Sequence, residues 1–334
     1  MMHSFLSHST KQFAVPRFVR LATVALALAV VLPGCSDDDD TPADPAGPNK
    51  ITVPQAALHP EGIQYDEANK RFFVSSRTQG RIGFVKDDST YTQFADDAQL
   101  ISTIGLNFDA GRNRLLVAVS DNNTNPNRTS PATQRKLAAL AIYNTTNGTR
   151  TSYVDLGSLR PMLNHFANDI AVDSQGNAYI TDSLSPLIYQ VTPQGIASVF
   201  LENSQLSGGT GFGLNGIVFH PDGYLLVAKA NDGALFKVPI ANPTSFTRVT
   251  TSQSLTGADG LLLVDNRTLL VVSGSQQTVF RISSSDAWVN ASSSGSFVTG
   301  AVSPTTITRR GTDAYVLYPY QATSPRFAIT KAIF

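Results

Sequence analysis

The sequence has very little cysteine and little charge, and both shortages narrow the possible functions. Cys35 is the single cysteine among 334 residues, so neither an internal disulfide nor a site of several zinc-binding thiolates can form. Lys plus Arg and Asp plus Glu number 25 each, and only 15% of the residues are charged. A net charge of zero provides no broad basic surface, and we therefore predict that no nucleic acid is bound.

Two common catalytic motifs are also missing from the sequence. No Gly-x-Ser-x-Gly elbow is present, which argues against a serine hydrolase of the type that uses this turn. The glycine-rich stretch at 208–211 lacks the following Lys and helix of a phosphate-binding loop. Any catalysis would therefore need a different chemistry.

The N-terminus has the arrangement of an export signal. Arg17 and Arg20 precede the apolar residues 21–32, a stretch shorter than the about 20 residues that a membrane-spanning helix needs. The Leu-Pro-Gly-Cys that ends at Cys35 resembles a bacterial lipobox, in which the cysteine is lipidated and becomes the new N-terminus. This predicts a signal peptide over 1–34 and an exported bacterial lipoprotein at the outer membrane or the periplasm-facing cell envelope. The alternative is an ordinary secretory signal with a chance cysteine.

Residues 35–50 contain four consecutive aspartates and several prolines but no large apolar side chain. Such a segment cannot bury surface, so we expect a disordered tether between the lipid and the folded part. The aspartate run from Asp37 to Asp40 is better explained as a solvated linker than as a metal site.

From residue 51 to residue 334 one pattern recurs about every 45 residues. An apolar strand, a turn of Gly, Asp or Asn, and a second strongly apolar strand are followed by two amphipathic strands. The six copies begin at Glu61, Ile104, Asn168, Asn215, Asp259 and Thr305. A polar insertion, 121–136, explains the longer spacing after the second copy and predicts an exposed loop. The pattern predicts an all-β, six-bladed β-propeller with four-stranded blades. A pair of β-sandwiches would explain the short strands but not the single period.

In a propeller the first strand of each blade lines the central axis, so the six starting residues should meet at one rim. Four of them, Glu61, Asn168, Asn215 and Asp259, have short side chains with oxygen ligands. Two carboxylates and two amides suit Ca²⁺, which takes about 6–8 oxygens in irregular geometry. Taken singly, Asn-Gly, Asp-Gly and Glu-Gly pairs mark ordinary turns. Their common position in the repeat, beside turns that other residues already form, favours a metal site.

At these residues the chain resembles the senescence marker protein/gluconolactonase/luciferin-regenerating superfamily, and more broadly the paraoxonase and strictosidine-synthase-like propellers. The segments HPEGIQYD, FANDIAVDSQGNAYITDS, GLNGIVFHPDGYLLV and GADGLLLVDN carry the likeness. The resemblance implies that Glu61, Asn168, Asn215 and Asp259 hold calcium. It also implies a hydrolase of lactones, aryl esters or organophosphates, in which the ion polarises the substrate and Asp259 acts as general base.

Three departures from the family pattern weaken particular activities. Phe166 stands where sugar-lactonase members have an arginine, so sugar-acid lactones are poor candidates for the substrate. Ser120 and Asp121 stand where paraoxonase-like members begin a histidine pair. The late catalytic glutamate of strictosidine synthase has no match.

Four further residues are candidates for the substrate pocket: His165, Phe166, Asp182 and Lys229. His165 precedes Asn168 by three residues, and Asp182 and Lys229 end the second strands of the third and fourth copies. Phe166 and Phe212 would form an apolar wall. The alternatives are a surface-loop histidine, the polar end of a strand, an ion-paired lysine and aromatic packing between blades.

Two hypotheses of function therefore stand side by side. The first is a calcium-dependent lactonase or esterase acting on a small hydrophobic ester or lactone. The second is a non-catalytic propeller that binds a peptide, polymer or protein partner and in which calcium only joins the blades. Neutral charge and polar loops predict a monomer that contacts the membrane only through its N-terminal lipid.

Overall fold

The computed structural model describes residues 47–334. The predicted signal peptide, Cys35 and most of the predicted tether lie outside the described residues. Lys50, the last residue of that tether, is already the first residue of a β-strand. Within the described part the chain forms strands and four short 3-10 helices: Ala110–Arg112, Gly157–Leu159, Ser204–Leu206 and Pro243–Ser245. The predicted all-β class is confirmed.

Each sequence repeat forms antiparallel strands that pair in chain order. Repeat 1 consists of β2 (Ile63–Asp66), β3 (Arg71–Val74), β4 (Arg81–Val85) and β5 (Tyr91–Asp96). Repeat 2 consists of β6 (Ser102–Asp109), β7 (Arg114–Ser120), β8 (Ala138–Asn144) and β9 (Arg150–Asp155). Repeat 3 consists of β10 (Ala167–Val172), β11 (Ala178–Asp182), β12 (Leu187–Val191) and β13 (Ala197–Glu202).

The second half of the chain repeats this arrangement. Repeat 4 consists of β14 (Leu214–His220), β15 (Tyr224–Lys229), β16 (Ala234–Pro239) and β17 (Thr247–Thr251). Repeat 5 consists of β18 (Ala258–Asp265), β19 (Thr268–Ser273), β20 (Thr278–Ser283) and β21 (Asn290–Val298). Repeat 6 consists of β22 (Ile307–Arg310), β23 (Asp313–Tyr318) and β24 (Phe327–Ala332), completed by β1 (Lys50–Val53) from the other end of the chain.

Two sheets are joined at their outer edges. The last strands of repeats 4 and 5 pair in parallel over two positions, Thr250 with Asn290 and Thr251 with Ala291, which makes one eight-stranded sheet. The other four sheets have four strands each. This connection between the two sheets is short. The first three strands of each repeat pair only within their own repeat.

Burial falls from the second strand of each repeat to the fourth. The second strands β15 and β19 are buried along their whole length, because neighbouring sheets cover both of their faces. The fourth strands β9 and β21 are largely exposed and rich in Ser and Thr. The sheets thus pack face to face, and the core lies in apolar layers between successive repeats.

The six first strands contact one another in a closed cycle: β2 with β6, β6 with β10, β10 with β14, β14 with β18, β18 with β22 and β22 with β2. Glycines allow this close approach. A Cβ atom added to Gly216 would lie 2.1 Å from the carbonyl oxygen of Asp259, and one on Gly62 would lie 2.4 Å from that of Ile104. Any larger residue would push these strands apart.

The cycle closes between the two ends of the described chain. β1 pairs with β24 from Lys50–Thr330 to Val53–Phe327, so the N-terminal strand completes the C-terminal sheet. On the inner side, the Thr305 hydroxyl donates to the Glu61 carbonyl oxygen at 3.1 Å. Repeat 6 is therefore fixed to repeat 1 at both its outer and inner edges.

The polar insertion lies where it was predicted, between β7 and β8, but it is not a free loop. Asp121 is fully buried and accepts hydrogen bonds from the Thr129 and Thr133 hydroxyls. Arg128 donates to three backbone carbonyl oxygens of residues 80–100. The expectation of an exposed loop was therefore wrong in part, because a buried carboxylate organises it. No helix in residues 47–334 is long and apolar enough to cross a membrane.

Candidate functional site at one end of the axial channel

The starting residues of repeats 2 to 5 lie in β-bulges. In repeats 2 to 5 the pairing of the first and second strands skips two residues, and the skipped residues are the predicted starting residue and its successor. The skipped pairs are Ile104-Gly105, Asn168-Asp169, Asn215-Gly216 and Asp259-Gly260. A bulge re-aims side chains and ends regular pairing. The common position seen in the sequence thus has a common backbone geometry.

Glu61, Asn215 and Asp259 form the polar centre of this end of the channel. The Asn215 side chain hydrogen-bonds the Asp259 carboxylate. Burial raises the pKa of Asp259 well above its ordinary value, and the negative charges of Glu61 and Asp169 raise it further. Asn215 and Arg77 only partly oppose this rise. Three acidic side chains and one described cation, Arg77, thus act on one another at this site.

Asn168 is linked to repeat 4 through Ser183, the residue that directly follows β11. It is 6% exposed, and its Nδ2 donates to Ser183 Oγ at 2.8 Å. Ser183 Oγ in turn donates to the Leu214 carbonyl oxygen. This chain fixes the amide nitrogen of Asn168, so that its amide oxygen faces away from the serine.

Asp169 was not among the predicted site residues. It occupies the place that glycine fills in repeats 1, 2, 4 and 5. Its Oδ1 accepts from the Ile170 N–H at 2.9 Å, and its Oδ2 accepts from the Ile217 N–H at 3.4 Å. Burial raises its pKa to about 7, against the effect of these hydrogen bonds and with a further rise from Glu61. The exception to the glycine pattern was the sequence signal that could have revealed it.

Arg77 is the second residue that sequence reasoning missed. Its Nη1 lies 3.3 Å from Glu61 Oε2, with both side chains largely buried. It follows the two serines that come directly after the second strand of repeat 1, whereas repeats 3 to 5 have Ser183, Ala230 and Gly274 at the equivalent place. The sequence signal that could have revealed Arg77 is a long cationic side chain at a position where the other repeats have small residues.

The axial channel, lined by the first strands of all six repeats, contains a cavity of about 330 Å³. Asp169 lies on its wall among apolar residues that include Ile217, Leu261 and Ile307. A larger cavity of about 760 Å³ lies elsewhere, between the polar insertion and the segment 153–165. None of the four predicted ligands lines either cavity.

His165 and Asp182, predicted for the substrate pocket, are buried and bonded to each other. His165 Nδ1 lies 2.8 Å from Asp182 Oδ2, and the Tyr189 hydroxyl donates to the same oxygen at 2.8 Å. Asp182 Oδ1 accepts the backbone N–H groups of Phe166, Leu184 and Ser185. His165 Nε2 lies 2.8 Å from the Arg160 carbonyl oxygen. Burial lowers the pKa of His165, but the bond and charge of Asp182 outweigh it, so the net shift is upward.

The other two pocket candidates are also in contact with neighbours. Phe166 is buried, and its ring lies 5.1 Å from that of the partly exposed Phe212. Lys229 Nζ donates to the Gln205 carbonyl oxygen at 2.9 Å and lies 3.1 Å from Asp232 Oδ2. Lys229 thus has an acidic partner of its own.

The donor set must include more than carboxylates if a cation binds. Within residues 47–334, no three His, Cys, Asp or Glu side chains are arranged to hold a metal ion. The predicted set contains only two such residues, Glu61 and Asp259, and two amides. Carboxylate and amide oxygens with excess negative charge fit a hard divalent cation in their chemistry.

Comparison with known proteins shows structural but no sequence relatives. No family model and no curated protein matches the chain. The Malassezia sympodialis allergen Mala s 1 superposes with a TM-score of 0.68 at 18% identity, over 86% of this chain and 97% of the allergen. A protein assigned as a gluconolactonase gives 0.60 at 15% identity, over 86% and 93%. A luciferin-regenerating enzyme gives 0.58 at 12%, over 86% and 98%.

The shared feature is the fold. The predicted likeness to gluconolactonase-like and luciferin-regenerating proteins is confirmed at that level, since both kinds of structure are among the neighbours. At these identities the likeness does not transfer an activity.

Proposed function

We propose that this chain is a calcium-dependent hydrolase of lactones, aryl esters or similar hydrophobic esters, built on a six-bladed β-propeller with four-stranded blades. One observation carries the proposal. The side chains of Glu61, Asn215 and Asp259, from repeats 1, 4 and 5, act on one another, and repeat 3 contributes Asp169, the neighbour of its predicted ligand Asn168. A cluster of this kind, with raised pKa values and excess negative charge, is typical of a functional site.

The blade count rests on the closed cycle of six first strands. The eight-stranded sheet counts as two blades, because only two residue pairs between outermost strands join its halves. Repeat 6 counts as a blade of mixed origin, since β1 supplies its outer strand.

Glu61, Asn168, Asn215 and Asp259 would hold the calcium ion. When bound, the ion would supply Lewis-acid polarisation of a carbonyl or phosphoryl oxygen. Asp259 would accept a proton from an attacking water, and its contact with Asn215 would orient it. The Phe166–Phe212 pair would offer an apolar surface to the substrate.

Three other proposed pocket residues have smaller roles in this mechanism. His165 and Asp182 would shape the pocket from behind Phe166, whose N–H is held by Asp182. Lys229 would act only after leaving Asp232. We further propose an exported lipoprotein, anchored through Cys35 at the cell envelope, that acts as a monomer on a small-molecule ester or lactone.

The proposal is tested with a panel of aryl esters, lactones and phosphotriesters, assayed with calcium and with a chelator. We expect turnover that needs calcium and falls at least about 100-fold in Asp259→Asn, the loss typical of a missing general base. Asp265→Asn, at the far end of the same strand β18, is the matched control and should keep wild-type rates. Turnover that is indifferent to the chelator would contradict the proposal.

A second candidate function is a non-catalytic propeller that binds a peptide, polymer or protein partner at this channel end. The observation in its favour is that the other ionisable candidates are already paired: His165 with Asp182, Lys229 with Asp232, and Glu61 with Arg77. Calcium binding without turnover of any substrate in the panel would favour this candidate.

A further inference from the structure

Arg77 occupies a position that the repeat defines. Its backbone N–H donates to the carbonyl oxygen of His59, two residues before Glu61. The same hydrogen bond joins Ser183 to Phe166, Ala230 to Gly213 and Gly274 to Gly257, each two residues before a predicted ligand. The four residues that donate are therefore structurally equivalent.

The equivalent side chains differ in one respect. Ser183, Ala230 and Gly274 are small, and Ser183 binds the ligand of its own repeat, Asn168, as a neutral partner. Arg77 also contacts the ligand of its own repeat, Glu61, but as a full positive charge. Only repeat 1 among these four brings a cation to the acidic cluster.

The contact of Arg77 with Glu61 is weakly fixed. A single Nη1–Oε2 distance of 3.3 Å joins them, without the paired geometry of a bidentate ion pair. Arg77 Nε is buried and has no hydrogen-bond partner within the described residues. The side chain is 22% exposed, so solvent adjoins its present position. The guanidinium can therefore leave Glu61 without breaking a network.

The positive charge of Arg77 shifts the pKa values of two other groups at this end of the channel. Burial and the charge of Arg77 lower the pKa of the neighbouring His59 to about 4. Arg77 also opposes the rise in the pKa of Asp259. A divalent ion beside Glu61 and Asp259 would compete with the same guanidinium for the same carboxylates.

We propose that Arg77 is a built-in counter-ion of the calcium site, which holds Glu61 when no divalent ion is bound and is displaced when one binds. This inference rests on the cation site of the proposed function. Arg77 thereby weakens calcium binding and stabilises the calcium-free protein. The site binds calcium only where the ion is abundant.

The experiment is a calorimetric calcium titration of the chelator-treated full-length chain in detergent. Arg77→Gln should bind calcium about tenfold more tightly than wild type, a change of about 1.4 kcal/mol. Arg77→Lys keeps the charge and should stay close to wild type. Arg81→Gln is the matched control, since Arg81 pairs with Asp96 on a neighbouring strand at 3.5 Å, and should leave the affinity unchanged.

The outcomes separate this inference from the function on which it rests. Equal or weaker binding by Arg77→Gln, beside a wild type that binds calcium, overturns the counter-ion role and leaves the calcium site standing. Binding by Arg77→Gln alone supports the counter-ion role. Failure of both proteins to bind calcium at millimolar concentration overturns both the site and the inference.

A second readout does not depend on affinity. Without calcium, Arg77→Gln should unfold at a lower temperature than wild type, because Glu61 and Asp259 lose their only nearby cation among the described residues. Added calcium should raise its unfolding temperature more than that of wild type. An Arg77→Gln protein that is no less stable without calcium would contradict the inference.

Discussion

Two buried clusters of ionisable residues between residues 47 and 334 differ in how completely their charges are paired. In the His165–Asp182–Tyr189 cluster, both carboxylate oxygens and both ring nitrogens have partners. At the channel end, Glu61, Asp169 and Asp259 repel one another, and Arg77 is the one described guanidinium that opposes this repulsion. Complete pairing indicates a structural cluster, whereas unbalanced charge indicates a site that awaits a ligand.

The comparison also separates residues that looked alike in the sequence. Asp182 and Asp259 are both aspartates near the ends of inner strands, and both were candidates for the functional site. Asp182 binds three backbone N–H groups and two side chains, so it holds the segment before β10 in place. Asp259 has one amide partner and two acidic neighbours. Their substitution should therefore have opposite effects on stability.

The largest expected effect is the loss of the Asp182 carboxylate. Asp182→Ala leaves three backbone N–H groups and the buried His165 ring without their acceptor, which should cost about 3–5 kcal/mol. Urea unfolding of wild type and variant measures the difference. Asp222→Asn is the control, because that side chain is 61% exposed and should change stability by less than about 0.5 kcal/mol. A cost for Asp182→Ala below about 1 kcal/mol would show that the cluster is not structural.

The next prediction concerns the pH dependence of the same cluster. The folded pKa of His165 is raised, so the stability that its charge provides is complete below the unfolded value of 6.5. That stability is lost as the pH rises through the folded pKa. The wild-type advantage over His165→Gln in free energy of unfolding should therefore shrink between pH 6 and higher pH. Asp182, Tyr189, Asp155 and the Arg160 carbonyl are the groups that act on the ring.

Unfolding curves at several pH values for both proteins test this directly. Asp265→Asn serves as the control, since this exposed residue of repeat 5 lies outside the cluster. Its difference in stability from wild type should be constant over that pH range. An advantage of wild type over His165→Gln that grows with pH would mean that the ring is neutral when folded.

The repeat and its common position were predictable because they follow from local chemistry. Continuous apolar runs such as those of β15 and β19 must be buried on both faces, and their spacing gives the period. The common position of Asn168, Asn215 and Asp259 was visible for the same reason. The class of the fold and the candidate ligands therefore came from the sequence.

The features of the fold and of the site that were not predicted depend on contacts between residues far apart in the sequence. Nothing local in residues 50–53 announces that β1 completes the sheet of β24, some 280 residues later. The pairing of His165 with Asp182 was equally hidden, because each residue alone resembles a polar pocket residue. Arg77 and Asp169 break a repeat pattern, and such exceptions become informative only once the equivalent positions are aligned in space.

The channel end should respond to charge removal in the opposite sense from the paired cluster. In the presence of a chelator, Asp259→Asn should be as stable as wild type or more stable by about 1 kcal/mol, because it removes a repelled carboxylate. Urea unfolding in chelator measures this, and Asp265→Asn is again the control on the same strand. Destabilisation above about 2 kcal/mol would place Asp259 among the structural residues.

The smallest expected effect tests how the paired cluster is held at its edge. The Arg160 side chain binds Glu202 at 2.8 Å, with both side chains about 40% exposed, whereas it is the Arg160 backbone carbonyl that meets His165. Arg160→Gln should therefore cost less than about 0.5 kcal/mol, the usual contribution of an exposed ion pair. It should also leave the pH dependence attributed to His165 unchanged. A larger loss of stability, or a shifted pH dependence, would show that the charge of Arg160 itself acts on the buried His165. The cluster would then depend on an exposed residue and would not be fully paired by its buried members alone.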